Sequence, residues 1–350
     1  MAKRPAVWLS GEGSTSQIVL SSRIRLARNI SNCPFPLKAD TDTRERVLSF
    51  TESAIDKSSI LSQGMFVKCS QLDDLDRNFL VERHLISLEF RNCRDSSALF
   101  IGEGERVSIM VNEEDHLRVQ ALQSGLDIRG AYQIADKFDD ELAKSVEFAF
   151  DPGFGYLTSC PTNVGTGLRA SVLIHLPGLA LTREIENVIS QISKLGLAVR
   201  GFYGEGSDVL GSLFQVSNQT TLGRSEEDIM ESLERVTQQI IEYEENARNR
   251  LFKDAKDQIE DKIWRAYGIL KFARVLTSEE ILNLLSAIRL GVGKGTMKMV
   301  TPSQINEVLA FSQPAHLQKY FNKRMGPGER DRIRAGLVRS KLGGEKRTIL

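Results

Sequence analysis

Cys160-Pro161-Thr162-Asn163-Val164-Gly165-Thr166-Gly167-Leu168-Arg169 runs straight into Ala170-Ser171-Val172-Leu173-Ile174-His175-Leu176, and this passage decides how the chain is read. A single thiol precedes a proline, two glycines open the backbone, and an arginine closes the loop where a strand begins. Such a loop offers a sulfur beside a fixed cation, with both anchored to a sheet, and a neighbouring cation favours the thiolate. Most single cysteines are small buried thiols. Cys33, Cys69 and Cys93 take that reading. Cys160 does not, because the rest of the chain supplies partners for it.

Strands recur on both sides of this loop. Gln17 to Arg28 alternates, with Ile24 and Leu26 facing one way and Arg23 and Arg25 the other. Arg106 to Asn112 alternates similarly and breaks into Glu113-Glu114-Asp115-His116-Leu117-Arg118. Thr182 is expected to open a helix with Ile185, Val188, Ile189, Ile192 and Leu195 on one stripe and Gly196 as its stop. Leu197 to Phe202 reads as a strand that carries Arg200 into Gly204-Glu205-Gly206. Strands without regular helical crossovers imply an antiparallel α+β fold.

Beyond Arg224 the texture changes. Ser225 caps a helix with Asp228 three residues on, and Ile229, Leu233, Val236, Ile240, Tyr243, Ala247 and Leu251 form a long apolar stripe. Further helix starts stand at Thr277, with Glu280, and at Thr301-Pro302, with Gln304. The division is therefore an amino-terminal segment over 1–16, an α+β unit over 17–250 and a small all-α domain over 255–350. Gly291-Val292-Gly293-Lys294-Gly295-Thr296 superficially suggests a phosphate loop. It fails the pattern, because Gly295 holds the Ser/Thr position and Ile288 that of the first glycine, so a loop between helices is expected.

Bulk properties exclude several classes. The chain has 350 residues, 41% hydrophobic and 26% charged, as folded proteins of this size do. Lys plus Arg and Asp plus Glu are 46 each, which gives no global sign of direct nucleic-acid binding. No apolar run approaches the roughly 20 residues of a membrane helix, and Met1 to Ser10 lacks the apolar core of a signal peptide. Four scattered cysteines without a CxxC pair speak against disulfides or a zinc site, so a cytoplasmic protein with reduced thiols is expected.

Arginines stand at element ends: Arg23 and Arg25, Arg118, Arg169, and Arg200. Two arginines two apart on a strand share a face. A converging guanidinium cluster is costly unless an anion fills it, and a triphosphate is the natural filler. Taken singly, each could be a surface ion pair worth about 0–1 kcal/mol. Glu113-Glu114-Asp115 and Glu205 supply carboxylates suited to a cationic acceptor beside the phosphate donor. A guanidinium acceptor fits, because it reacts only when positioned and relieved of a proton.

Four segments, taken in order, resemble the phosphagen (guanidino) kinase catalytic domain. They are Ser21-Ser22-Arg23-Ile24-Arg25-Leu26-Ala27-Arg28-Asn29, Val111 through Arg118, Cys160 through Ala170, and Arg200-Gly201-Phe202-Tyr203-Gly204-Glu205. The resemblance implies an antiparallel sheet flanked by helices, ATP carrying Mg²⁺ as donor, no protein-held metal, and a guanidinium acceptor. It implies that Ser21, Ser22, Arg23, Ile24, Arg25, His84, Arg118, the run Arg169-Ala170-Ser171-Val172-Leu173 and the run Arg200 through Glu205 bind nucleotide. It also implies Glu114 as base or guanidinium anchor with Asp115 beside it, Glu205 as a second anchor, and Cys160 as a thiolate steering the guanidinium nitrogen.

Two departures narrow the resemblance. Metabolic arginine and creatine kinases carry a helical amino-terminal domain that helps enclose a small substrate, whereas here twenty-two residues precede Arg23. They also lack a helical domain like the one after residue 255. Both features are similar to bacterial protein-arginine kinases of the McsB type, as is Arg330-Asp331-Arg332-Ile333-Arg334-Ala335. On a helix Arg330 and Arg334 are neighbours with Asp331 close to both, a set that suits the phosphate and guanidinium of phosphoarginine. This resemblance implies protein substrates with exposed arginines, an allosteric phosphoarginine pocket, a homodimer, an activator protein, a heat-shock repressor as target and delivery of marked proteins to a Clp protease. The alternatives are a phosphagen kinase acting on free arginine and a non-catalytic phosphoarginine-binding adaptor.

Overall fold

The computed structural model describes residues 1–13, 15–202 and 210–343. Within them the strands are β1 (Val19–Arg28), β2 (Met65–Lys68), β3 (Ala98–Ile101), β4 (Val107–Val111), β5 (Leu117–Ser124), β6 (Phe150–Asp151), β7 (Gly155–Tyr156), β8 (Leu168–His175), β9 (Leu197–Arg200) and β10 (Leu213–Asn218). The helices of the first part are α1 (Thr41–Lys57), α2 (Asp74–Glu82), α3 (Ile128–Ala143), α4 (Pro177–Leu181), α5 (Ile185–Lys194) and α6 (Glu226–Asp254). Then come α7 (Lys256–Phe272), α8 (Ser278–Gly293), α9 (Pro302–Phe311), α10 (Pro314–Phe321) and α11 (Pro327–Gly343).

An antiparallel sheet in the order β2-β3-β4-β5-β1-β8-β10-β9 forms the frame, and β6 with β7 makes a separate hairpin. The alternation of β1 sets its two faces. Ile24 and Leu26 are fully buried and join one apolar cluster with Val47 of α1, Ala131 and Ala135 of α3, and Leu233 and Ile240 of α6. These helices therefore cover one face. The long α6 starts at the expected capping box, in which the Ser225 side chain accepts from the Asp228 N–H and Asp228 reciprocates.

The opposite face, which carries Arg23 and Arg25, is only partly covered. Leu20, Leu173 and Leu213 pack against Ile259 of α7 and Leu285 and Ile288 of α8. The amino-terminal segment completes this cover: Trp8 and Leu9 are buried with Leu122, Phe311 and Leu317. Asn306 donates to the Leu9 carbonyl at 3.2 Å, and Arg83 donates to that of Arg4 at 3.2 Å. Sheet, first segment and helical part thus share buried surface around an uncovered centre.

Three expectations are corrected. Thr182 closes α4 instead of opening a helix, because Pro177 starts that helix at N1 and Arg183 takes φ +61°. The helix restarts at Ile185, and Leu195 is 52% exposed, off the buried stripe. Cys69 and Cys93 form a disulfide where reduced thiols were expected. Their separation of 24 residues hides the approach, which the packing of Leu80, Val81 and Phe90 against Leu99 and Met110 brings about. Gly291 to Gly293 lie inside α8, and a Cβ on Gly291 would stand 2.7 Å from the Ile263 side chain. That glycine serves close packing of α7 on α8 and not a phosphate loop.

A buried ion pair locks α4 onto α6. Glu244 accepts from the Gly178 and Leu179 N–H groups at 2.8 and 2.9 Å and from Arg248 at 2.6 Å. Burial pushes the Glu244 carboxyl up, while Arg248 and the two amides oppose the shift. Removing one member of such a pair strands the other in a low dielectric. Glu244→Ala should therefore lower stability to urea by about 3–5 kcal/mol. A loss below about 1 kcal/mol would mean that the pair behaves like a surface ion pair.

Candidate active site

The uncovered centre of the sheet is a cavity of about 790 Å³. Its lining includes all five arginines singled out above, with His84, Glu113, Glu114 and Cys160. Register explains the convergence. Arg25 of β1 stands directly opposite Arg169 of β8, Arg23 opposite Ser171, and Arg118 of β5 opposite Ala27. One row further along, Ser21 pairs with Leu173, Leu173 with Gln215 of β10, and Gln215 with Arg200 of β9. Cross-strand partners share a face, so these arginines all rise on the same side.

Their electrostatics is strained in one direction. Burial, then repulsion from Arg169 and Arg118, lowers the Arg23 guanidinium to about 10. Arg25 is pushed well below its ordinary value by burial and by Arg23, Arg118 and Arg169, with Glu113 opposing. Arg118 differs. Burial lowers it, but Glu113, Glu114 and Asp115 together outweigh that and raise it. It pairs with Glu113 at 2.5 Å and with Glu114 at 2.9 Å. Arg23 also donates to the Ser171 hydroxyl at 3.3 Å. Such a cluster fits a polyanion, which would relieve the mutual repulsion that lowers Arg23 and Arg25. Among the described residues no group of three or more His, Cys, Asp or Glu side chains could hold a metal.

Acidic and sulfur groups close the cavity. Glu114 is half-exposed, and burial raises its carboxyl, aided by Asp115 and Glu113 and opposed by Arg118. Asp115 plays another part: it is fully buried and outside the cavity lining. One of its oxygens accepts from Asn29 and from the Ser159 N–H, each at 2.7 Å. It thereby ties β1 to the loop that presents Cys160, whose sulfur lies 3.1 Å from the Thr162 hydroxyl. The same loop is held further on, where Arg28 donates to the Thr166 carbonyl at 3.0 Å and Thr221 to that of Val164 at 2.7 Å. At Gly167, φ is +65° and a Cβ would meet the Ala27 carbonyl at 2.6 Å, so the loop needs a glycine there.

His84 enters the cavity from the turn after α2, with φ +58°, a strained value for a non-glycine residue. Its ring stands edge-on to Trp8 and to Phe202, each at 5.1 Å. Burial, then Arg23, lowers it to about 3, which keeps the imidazole neutral. Several other residues expected to bind nucleotide are not part of the cavity lining. Ile24, Ala170 and Val172 belong to the apolar cluster on the reverse face. The Ser22 hydroxyl donates to the Gly125 carbonyl and accepts from the Asp127 N–H, both at 2.9 Å. Ser21 and Leu173 lie on the arginine face, with Leu173 under the helical part. Gly201 is buried beside Phe202, whereas Tyr203, Gly204 and Glu205 lie outside the described residues.

The run Arg330 to Ala335 sits in α11, away from the cavity lining. The two arginines of the run are held unequally. Arg334 is buried, donates to the Ser312 and Leu276 carbonyls at 2.7 and 2.9 Å, and is paired with Asp331. Ala335 is buried and Ile333 partly so, while Arg330 is half-buried and Arg332 exposed. Glu82 reaches this region from α2 and accepts from the Ala315 and His316 N–H groups at 2.8 and 2.6 Å. Burial pushes Glu82 up to about 7, against those two amides and against Arg334 and Arg330. Positioning roles for Arg28, Asn29, Glu82 and Asp115 were hidden from sequence, because each depends on contacts with distant segments.

Comparison with known proteins agrees with this geometry. The ATP:guanido phosphotransferase C-terminal catalytic domain matches residues 46–247, and the protein-arginine kinase McsB C-terminal domain matches residues 256–349. A protein-arginine kinase of Symbiobacterium thermophilum is 47% identical over 338 residues, covering 96% of each chain. One of Bacillus cereus strain G9842 is 47% identical over 341 residues, covering 97% of this chain and 96% of its own. Among solved structures, a lombricine kinase aligns with TM-score 0.60 at 25% identity over 69% of this chain and 71% of its own. A duplicated taurocyamine kinase of Schistosoma mansoni, bound to transition-state analogue components, aligns with TM-score 0.61 at 25% identity over 67% and 34%. The chain belongs to the protein-arginine kinase family of ATP:guanido phosphotransferases and is an ATP-dependent kinase.

Proposed function

We propose that this kinase transfers the γ-phosphate of ATP, carried with Mg²⁺, to the guanidinium of arginine side chains in proteins. The observation that carries the reading is the set of half-buried arginines on one face of β5, β1 and β8, with Arg25 directly opposite Arg169 and with Arg118 paired to the carboxylates of Glu113 and Glu114. Phosphoryl transfer asks mainly for positioning and for neutralisation of charge on the moving group. Arg23, Arg25, Arg118, Arg169 and Arg200 supply the positive lining. Glu114, whose raised carboxyl is suited to take a proton, accepts it from the attacking guanidinium nitrogen as the P–N bond forms. Cys160 faces the same cavity on a loop anchored at several points, and its sulfur orients the guanidinium without a covalent intermediate.

A second site is proposed in the helical part, where Arg330, Asp331 and Arg334 bind phosphoarginine as a regulator. Its support is the position of Glu82, which lies near these arginines and two residues before the cavity residue His84. Phosphate competing with Glu82 for Arg330 would pull on the cavity wall. The proposed reading extends to a cytoplasmic homodimer with an activator protein. It extends further to a heat-shock repressor as substrate and a Clp protease as receiver of marked proteins. No described helix is long and apolar enough to cross a membrane.

The function is tested by supplying Mg-ATP with free arginine or with an unfolded arginine-rich protein, and measuring acid-labile phosphate across pH. Labelling of the protein is expected. Labelling of free arginine alone would contradict the reading, and labelling of neither would favour a binding adaptor. The rate should fall as pH drops through the raised value of Glu114, because only its ionised form accepts a proton, so this limb lies above that of an ordinary glutamate. Glu114→Gln should remove the limb together with most of the rate. An unchanged acid limb in that variant would assign it to another group.

For the second site, phosphoarginine binding measured by calorimetry should be lost in Arg330→Ala and in Asp331→Ala. Arg330 makes fewer ties to the fold than Arg334, so its variant separates binding from folding. Undiminished binding in Arg330→Ala would reduce the motif to a structural role.

A further inference from the structure

The segment between Cys69 and Cys93 supplies a large part of one cavity wall. Val81, His84, Ser87, Glu89, Asn92 and Cys93 itself all line the cavity. Most of this wall is pinned by the sheet. Gln120 donates to the His84 carbonyl at 2.7 Å, Ser108 to that of Leu85 at 2.8 Å, and the Ser87 hydroxyl is bonded to Glu113. Phe90 is buried with Leu99 and Met110. From Arg91 to Arg94 the ties are short turn bonds, such as that from the Cys93 N–H to the Phe90 carbonyl at 2.9 Å. Ser96 and Ser97 are fixed again, because Asn112 donates to the Ser96 carbonyl at 2.7 Å and the Ser97 hydroxyl donates to the Asn112 carbonyl at 3.0 Å. Between these anchors the disulfide links residues 91–94 to the sheet, because Cys69 follows β2 and its N–H donates to the Ser97 carbonyl at 2.8 Å.

The two sulfurs differ in access. Cys69 is fully buried, whereas Cys93 is partly exposed between the exposed Arg91 and Arg94. An incoming reagent therefore meets Cys93 first, and its cationic flanks favour an anionic disulfide or thiol. We propose that Cys69 and Cys93 form a reversible thiol–disulfide site that sets the rigidity of the outer cavity wall. In the forward direction the Cys93 thiolate attacks a low-molecular-weight disulfide, forming a mixed disulfide and releasing one thiolate. The Cys69 thiolate then attacks the Cys93 sulfur and releases the second. Two protein thiols and one small disulfide thus become one protein disulfide and two small thiols. Reduction by a small dithiol runs the exchange backwards and frees residues 91–94, which carry Asn92 and Arg94 of the lining.

The consequence for activity rests on the kinase reading above. The full chain is equilibrated in glutathione buffers of rising oxidised fraction, and peptide masses follow both the Cys69–Cys93 link and Cys160, which must stay reduced in each preparation compared. Opening the link should speed hydrogen exchange at the Cys93 and Ser97 amides by about tenfold or more. It should also lower kcat/KM on an unfolded arginine-rich protein by about threefold or more, and reoxidation should restore it. Cys93→Ser should match the reduced enzyme at every redox setting, and Cys69→Ala provides a second variant should the first fold poorly. Failure of the link to form would overturn the proposal, as would equal exchange in both states or a redox response that persists in Cys93→Ser. If phosphate is transferred in neither state, the kinase reading fails instead, and the exchange measurement alone decides the proposal.

Discussion

The constraint on which the rest depends is that Arg25 and Arg169 face each other across the middle of a sheet, with Arg23 and Arg118 alongside. Like charges directly opposite destabilise a strand pair by up to about 1 kcal/mol, and burial of cations adds to the cost. The reverse face offsets this. Ile24, Leu26, Ala170 and Val172, on the same two strands, are buried under α1, α3 and α6. The sheet is thus held together from one side so that the other can carry a cluster of cations. Glu113 and Glu114 pair with Arg118, while Arg23 and Arg25 are lowered by burial and by their cationic neighbours, a repulsion that an entering anion would relieve.

How far this was legible in the sequence varies from residue to residue. The two faces of β1 can be read from the alternation of Ile24 and Leu26 with Arg23 and Arg25, because strand periodicity is local. The capping residues Ser225, Thr277 and Thr301 were readable for the same reason, and each accepts from the amide three residues on. Long-range pairing was not. Asp115 stands in an acidic run that looks catalytic, yet it is turned inward by Asn29 and Ser159, which lie far away in the chain. Arg334 shares a motif with Arg330 but is bound to carbonyls of two other segments. The Cys69–Cys93 pair carries no spacing signal, because packing of α2 and not sequence distance brings the sulfurs together.

A short turn after α2 connects the two parts of the molecule. Glu82 caps the start of α10, Arg83 pairs with Glu105 and reaches the Arg4 carbonyl, and His84 enters the cavity. Consecutive residues therefore touch the helical part, the amino-terminal segment and the site. Trp8 and Phe202 hold the His84 ring from two sides, so a shift in the helical cover has a direct mechanical path to the arginine cluster.

That the opposed arginines serve a polyanion at the expense of the empty fold is tested by thermal unfolding of the wild type and of Arg25→Met, each with and without ATP. Arg25→Met should be at least as stable as the wild type when empty and should lose the stabilisation that ATP confers. A variant that is less stable when empty and keeps the full ATP response would rule this out.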